Sequence, residues 1–168
     1  MDRVKESLFA MIQNNIKDSM VLDLFAGSGQ LGIEAISNGA NTCYFIDNNK
    51  EVIKVLNKNI SNLNIKSNSK VLLSDWKKSL NEFYNQNLKF DLIFVDPPYD
   101  YNVYEKILAK VSELSLLNEN GLIILEHSNL KFKDTYNNLS LYKEKKYGNK
   151  CVNIYKNNWQ SPNFYDIF

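Results

Sequence analysis

The stretch that decides the fold is MVLDLFAGSGQLG, which covers residues 20–32. It begins with a short run of mainly apolar residues, and such a run predicts a buried β-strand. The glycines at positions 27 and 29 then predict a tight turn, because glycine adopts backbone conformations that other residues avoid. Apolar residues at helical spacing follow. A strand, a glycine turn and a helix in this order predict the first unit of a parallel sheet.

The same alternation of strand and helix continues along the chain, which predicts an α/β protein with a mostly parallel sheet and helices on both of its faces. The end of the chain differs, because two strands flank Gly148-Asn149 and predict an antiparallel hairpin. Residues 2–14, behind Asp2 as the capping residue, predict an amphipathic helix ahead of the first strand. The later predicted strands cover residues 42–46, 71–73, 90–95, 121–125, 139–147 and 151–155.

The chain has 168 residues, a net charge of +1 and 44% hydrophobic residues, values that are ordinary for a globular protein. We expect residues 1–157 to form one domain, followed by an aromatic-rich tail, residues 158–168, with no clear period. The first residues lack the apolar region of a signal peptide, and no apolar run approaches the roughly 20 residues that span a bilayer. We therefore expect a cytoplasmic protein that does not enter membranes.

The cysteines and the histidine do not predict a metal site. Cys43 and Cys151 form no CxxC pair, and His127 is the only histidine. Because each cysteine lies in an apolar stretch, we expect buried free thiols. A single histidine at a strand end is more typical of packing than of catalysis.

A cofactor site is predicted where the glycine turn meets the ends of neighbouring strands. Residues 27–32 match the pattern GxGxxG, which fits NAD, FAD or S-adenosylmethionine. Asp47 ends the second strand, 20 residues after Gly27, where an acid can accept hydrogen bonds from ribose hydroxyls. Asp75 ends the third strand and precedes Trp76, so the pair could hold an adenine, although Asp75 could equally serve only to cap a helix.

The most informative motif is Asp96-Pro97-Pro98-Tyr99, directly after the fourth strand. Two prolines cannot extend the interior of a sheet, so a rigid turn is predicted at its edge. The lone pair of an exocyclic base amine is delocalised into the ring. The Asp96 carboxylate and the Pro97 carbonyl could accept both amine hydrogens and direct that lone pair at a methyl group. Tyr99 could stack on a base that has been flipped out of its helix.

Together these motifs resemble the RsmD family of 16S ribosomal RNA guanine-N2 methyltransferases. Similar segments are DRVKESLF at residues 2–9, LGIEA at residues 31–35, and LYKEKKYG at residues 141–148. The resemblance implies a Rossmann-like, seven-stranded sheet whose last strand is antiparallel, and S-adenosylmethionine as the cofactor. It also implies cofactor-binding roles, with the methionine part at Asp23, Gly27 and Gly29, the ribose at Asp47 and the adenine at Asp75. The complete set of candidate cofactor residues is Asp23, Phe25, Gly27, Gly29, Asp47, Asp75 and Trp76.

The resemblance has two departures. Glutamate is common in that family at the position of Asp47. Family members also carry a short β-hairpin before the helix at residues 2–14, and this sequence begins at Met1-Asp2. If that hairpin helps to bind RNA, we expect either that this chain is trimmed or that its RNA binding is weaker.

The resemblance makes ribosomal RNA the expected partner, within an assembling small subunit or free, with the protein acting as a monomer. Four lysines near the hairpin turn could contact phosphates, although such a run is often only a solvated face. Three other functions stay open: an adenine-N6 methyltransferase acting on DNA or RNA, an NAD-dependent oxidoreductase, and an inactive RNA-binding module. The lysines are Lys143, Lys145, Lys146 and Lys150.

Overall fold

A computed structural model describes residues 2–98 and 101–158, which form one eight-stranded sheet with helices packed on it. The helices are α1 (Arg3–Ile12), α2 (Gln30–Ser37), α3 (Lys50–Asn62), α4 (Trp76–Asn85) and α5 (Tyr101–Glu113). The strands are β1 (Met20–Asp23), β2 (Thr42–Asp47), β3 (Ser69–Leu73), β4 (Phe90–Val95), β5 (Leu117–His127), β6 (Thr135–Tyr136), β7 (Leu139–Tyr147) and β8 (Lys150–Asn157). The tail residues 159–168 and the motif residue Tyr99 lie outside the described residues.

Local capping explains where several helices begin. The Asp2 carboxylate accepts a hydrogen bond from the Lys5 backbone N–H at 2.9 Å, which caps α1 as the sequence predicts. Asn49 caps α3 in the same way, accepting from the amides of residues 51 and 52. Both caps satisfy backbone donors that have no partner within the helix.

The strand order is β3-β2-β1-β4-β5-β8-β7-β6, with β1 to β5 parallel and the last three strands antiparallel. The α/β architecture and the hairpin around Gly148-Asn149 are therefore confirmed. The predicted number of seven strands was wrong by one, because β6 pairs two residues with β7. A strand of two residues is too short to carry a hydrophobic period, so no sequence pattern predicts it.

Two apolar layers hold the sheet. On one face, α1 packs through Leu8, Phe9 and Ile12, and on the other α5 packs through Ile107 and Leu108. Both cysteines are free and buried, as expected from their apolar surroundings. In the part of the chain that the structure describes, no helix is long and apolar enough to cross a membrane.

The close contact between α2 and β2 depends on Gly32. A Cβ atom at this position would lie 2.3 Å from a ring carbon of Phe45 and 2.6 Å from the Cys43 sulfur. Both neighbours are fully buried, so neither can move aside easily. Gly32 is thus required by helix–sheet packing.

We expect Gly32→Ala to lower the free energy of unfolding by about 1–3 kcal/mol, the usual cost of overpacking. Alanine is the better helix former by up to about 1 kcal/mol, but the steric clash outweighs that gain. Urea unfolding of both proteins measures the difference. The control is Ser37→Ala on the exposed side of the same helix, where we expect a change within about 0.5 kcal/mol. An unchanged or raised stability of Gly32→Ala would contradict the packing argument.

Candidate active site

The candidate site lies at the carboxyl edge of the parallel strands. The chain order reverses around β1, which has β2 on one side and β4 on the other. In open α/β sheets, ligands bind in the crevice outside the strand ends at such a switch point. The predicted site residues all follow β1, β2, β3 or β4, so the topology brings these segments to one edge.

The loop after β1 is fixed by backbone hydrogen bonds to both neighbouring strands. The Leu24 N–H donates to the Phe94 carbonyl of β4 at 3.2 Å, and the Ala26 N–H donates to the Ile46 carbonyl of β2 at 2.8 Å. The side chain of Asn59 on α3 donates to the Ser28 carbonyl at 2.9 Å. The loop is therefore held on three sides before any ligand binds, although no sequence motif indicated Asn59.

The two loop glycines serve different purposes. Both have positive φ angles, +56° at Gly27 and +94° at Gly29, which side chains rarely allow. A Cβ on Gly27 would meet nothing within 4 Å, so that position faces open space. A Cβ on Gly29 would lie 2.5 Å from Leu56 and 2.9 Å from Ile33. The interpretation of both glycines as points of ligand approach therefore fits Gly27, whereas Gly29 is required by packing against two helices.

Two aspartates bind the backbone around this loop. The Asp23 carboxylate, at the end of β1, accepts from the Gly32 N–H at 3.0 Å and is only 2% exposed. The Asp47 carboxylate accepts from the Gly27 N–H and from the Asn49 N–H, both at 3.0 Å. The pKa of Asp23 is raised to about 7, mainly by burial; the Gly32 hydrogen bond opposes this rise, and the nearby charges of Asp96 and Asp47 contribute to it.

Asp75 caps a helix, which is one of the two roles that the sequence allowed for it. Its carboxylate caps α4 by accepting from the Lys78 N–H at 2.8 Å. Asp75 and Trp76 also line the same cleft as Asp47, so the cap lies where a ligand could reach it. The two interpretations of Asp75 are therefore compatible.

Asp96 and Pro98 line the site, whereas Pro97 is buried beneath the turn. Asp96 has substantial solvent exposure as a whole residue, yet partial burial of its carboxyl is the first cause that raises its pKa to about 6. The charge of Glu126 raises the pKa further and that of Lys150 lowers it. At neutral pH the Asp96 carboxyl is thus mainly ionised and able to accept hydrogen bonds.

The site is a groove with two lobes that share Phe25, Gly27 and Asp96. The first lobe has a volume of about 430 Å³, within the usual range for small-molecule sites. The second has a volume of about 330 Å³. The first lobe is also lined by Asp47, Asn48, Asp75, Trp76 and Pro98, and the second by Asp2, Lys5, Asp23, Gln30, Glu126 and Lys150.

The second lobe contains charged residues that sequence reasoning did not place there. Glu126 lies near the end of β5, and Lys150 begins β8 after the hairpin turn. Their side chains form an ion pair with a distance of 3.1 Å between Nζ and Oε1. The strand-end rule that indicated Asp47 could also have indicated Glu126, but Lys150 is brought there by antiparallel pairing.

The four lysines near the hairpin turn do not form one open patch. Lys143 donates to the Met11 carbonyl at 3.4 Å, and Lys145 donates to the Ser7 hydroxyl at 3.2 Å, so both contact α1. Lys150 instead faces the second lobe. Basic groups therefore extend from that lobe along the side of α1, which differs from the cluster that the spacing predicts.

His127 is buried and has a packing role, as the sequence indicated. Its Nδ1 accepts from the Leu130 N–H at 3.0 Å, which leaves Nε2 as the donor to the Asn153 side-chain oxygen at 2.7 Å. Its ring also packs against Tyr104 and Phe132. These contacts account for both of its ring nitrogens.

A glycine loop after β1, an acid at the end of β2 and a closing antiparallel hairpin agree with a Rossmann-like methyltransferase fold. The solved structure of the Escherichia coli protein yhhF superimposes with a TM-score of 0.83 at 30% identity, covering 95% of this chain and 89% of that one. The fold class is thereby confirmed, apart from the number of strands.

The chain belongs to the family described as conserved hypothetical protein 95, whose pattern matches residues 1–156. YlbH of Bacillus subtilis is 35% identical over 156 residues, covering 92% of this chain and 85% of its own length. Ribosomal RNA small subunit methyltransferase D of Haemophilus influenzae is also 35% identical, covering 93% of this chain and 81% of its own length. The resemblance to the RsmD family is confirmed, and the chain is an S-adenosylmethionine-dependent methyltransferase.

The raised pKa of Asp23 predicts a specific pH dependence of stability without ligand. The carboxyl titrates near 7 when folded and near its ordinary value of 3.8 when unfolded, so the folded protein binds the extra proton between these values. Stability from this group is therefore lost as the pH rises from about 4 to 7. Asp23→Asn removes this titrating group and with it the loss of stability. The free energy of unfolding of Asp23→Asn minus that of wild type should therefore increase by roughly 2–3 kcal/mol from pH 5 to pH 8.

Urea unfolding of wild type and Asp23→Asn at the two pH values measures this change. The matched control is Asp134→Asn, a substitution of an exposed aspartate, which should alter stability by less than about 0.5 kcal/mol at either pH. Parallel pH profiles for wild type and Asp23→Asn would show that burial does not hold a proton on Asp23.

Proposed function

We propose that this chain methylates the exocyclic N2 amine of a guanine in small-subunit (16S) ribosomal RNA. The observation that supports the proposal most directly is the position of Asp96. Its carboxyl lines both lobes of the groove, beside the open face of Gly27. A group that orients an amine toward a cofactor must lie where the two ligand sites meet.

The first lobe fits the nucleoside part of the cofactor. Asp47 can accept from ribose hydroxyls, because each carboxylate oxygen can accept more than one hydrogen bond. The exposed Asp75 carboxylate and the Trp76 ring can hold the adenine. Phe25 lies between the lobes, and Asp23 lines the second lobe, where its buried carboxyl can ionise beside the cationic ammonium of the methionine part. Gly27 leaves space for that part to approach the loop.

When bound, S-adenosylmethionine supplies a methyl group on a positively charged sulfur. The protein contributes orientation, which can be worth about 7–11 kcal/mol in well-aligned reactions. Asp96 accepts a hydrogen bond from the amine and so directs the nitrogen lone pair toward the methyl carbon. A new C–N bond forms as the C–S bond breaks, and S-adenosylhomocysteine leaves. The methylated nitrogen then loses one proton, which the nearby ionised Asp96 can accept and pass to solvent.

Ribosomal RNA is proposed from the relatives and from surface charge. The Haemophilus influenzae relative is named for the small-subunit RNA. In this chain, Lys5 lines the second lobe, and Lys145 continues along α1. Phosphate contacts of this kind provide most of the affinity for RNA. We infer that the protein acts as a monomer on RNA or on an assembling subunit.

The first experiment is methyl transfer from labelled S-adenosylmethionine to small ribosomal subunits that lack their own guanine-N2 methylation. Nucleoside analysis of the product identifies the base. N2-methylguanosine is the expected product. N6-methyladenosine would contradict the guanine assignment, and it would support the adenine alternative that the Asp96–Tyr99 motif leaves open.

We expect Asp96→Ala to reduce turnover by at least about 100-fold, since an oriented acceptor of this kind typically contributes that much or more. Cofactor affinity should change little, because Asp96 faces the target amine, and removing its charge also relieves repulsion on Asp23. Calorimetry measures affinity, and single-turnover kinetics measure the chemical step. Asp134→Ala is the control for loss of an aspartate. Lost cofactor binding with normal single-turnover rates would contradict the role of Asp96.

A further inference from the structure

The ion pair between Glu126 and Lys150 lies in the wall of the second lobe, which Asp96 also lines. This lobe is therefore the candidate site for the target base, beside the methionine part of the cofactor. Both residues line this lobe together with Asp96, and the charges of both act on the Asp96 carboxyl. The proposed function needs Asp96 alone for the amine. It leaves a carboxylate and an ammonium group in the same wall without a chemical role.

Glu126 is held firmly at this position. It lies on β5 opposite Val152 of β8, and its backbone carbonyl accepts from the Tyr104 hydroxyl at 2.6 Å. The Glu126 side chain is 15% exposed, whereas that of Lys150 is 62% exposed. Among the described residues, Lys150 provides the hydrogen bond to the Glu126 carboxylate, and it reaches one oxygen. The other oxygen can accept a hydrogen bond from a ligand.

We propose that Glu126 and Lys150 recognise the Watson–Crick edge of the target guanine, Glu126 by accepting from N1–H and Lys150 by donating to O6. This assignment rests on the proposed function and explains how the site distinguishes guanine from adenine. The edge of guanine presents one acceptor, O6, followed by the donors N1–H and the N2 amine. The wall presents one donor, Lys150, and the acceptors Glu126 and Asp96, which is the complementary order.

Adenine does not fit the same arrangement. With its N6 amine on Asp96, its unprotonated N1 would face the Glu126 carboxylate, so two acceptors would meet without a proton between them. Sites built to bond a polar group reject ligands that lack it, because buried partners are then left unpaired. A purely structural ion pair is the competing explanation, yet a pair whose lysine is mostly exposed contributes little to stability.

The test compares guanosine with 2-aminopurine at the modified position of a substrate RNA. The 2-aminopurine base keeps the amine that Asp96 orients, but it has an unprotonated N1 and no O6. Wild type should prefer guanosine in kcat/KM by at least about 100-fold. Glu126→Gln should narrow that preference to about 10-fold or less, since the glutamine amide can turn to donate to N1. Lys150→Met should lower kcat/KM for the guanosine RNA by about 10-fold and leave kcat/KM for the 2-aminopurine RNA unchanged, because 2-aminopurine has no O6.

Glu144→Gln is the matched control, since Glu144 is an exposed glutamate on the hairpin that carries Lys150, and its guanosine preference should equal that of wild type. Thermal unfolding and cofactor affinity confirm that each variant is folded. If Glu126→Gln and Lys150→Met lower kcat/KM equally for both RNAs, the ion pair has only a structural role between β5 and β8, and the assignment is wrong. If wild type forms no N2-methylguanosine, the proposed function itself fails, which is a distinct result.

Discussion

The burial of the Asp23 carboxyl is the constraint on which the geometry of the site depends. Asp23 ends the central strand β1, and its only backbone donor among the described residues is the Gly32 N–H of α2. Burying a carboxyl with so little compensation is costly, and its pKa of about 7 reflects that cost. The retained acid is therefore understandable as the partner of a cation, in keeping with the general trade-off between stability and function.

The position of the glycine loop is linked to the burial of the Asp23 carboxyl. The Asp47 carboxylate accepts a hydrogen bond from the Gly27 N–H. A second acid therefore contacts the loop that connects β1, which ends at Asp23, to α2. Its charge and that of Asp96 both act on Asp23. Without a ligand the charges of Asp47 and Asp96 therefore oppose the ionisation of Asp23. A positively charged ligand lowers this repulsion without any movement of the loop, since the loop is already bonded to β2 and β4.

Strands β1 to β4 could be predicted because each is short, mainly apolar and ends at or just before a polar residue, and the strand-end rule then located Asp47, Asp75 and Asp96 together. The packing of Leu56 of α3 against Gly29 could not be predicted, because sequence spacing does not show which residues of distant helices meet. Lys150 could not be placed, because its contact with Glu126 joins residues 24 apart through the pairing of β8 with β5. Long-range register of this kind is decided by side-chain packing in the sheet, and no local pattern carries it.

The neutrality of the Glu126–Lys150 pair matters for the chemistry beside it. A lone carboxylate in this wall would raise the pKa of Asp96, and a lone ammonium group would lower it. In the pair these two effects oppose each other, and the pKa of Asp96 stays at about 6, below neutral pH. The wall can therefore present a directional donor and a directional acceptor without adding net negative charge to a groove that several aspartates already line. Hydrogen-bonding specificity and an ionised Asp96 are compatible in this arrangement because the two added charges are of opposite sign and lie 3.1 Å apart.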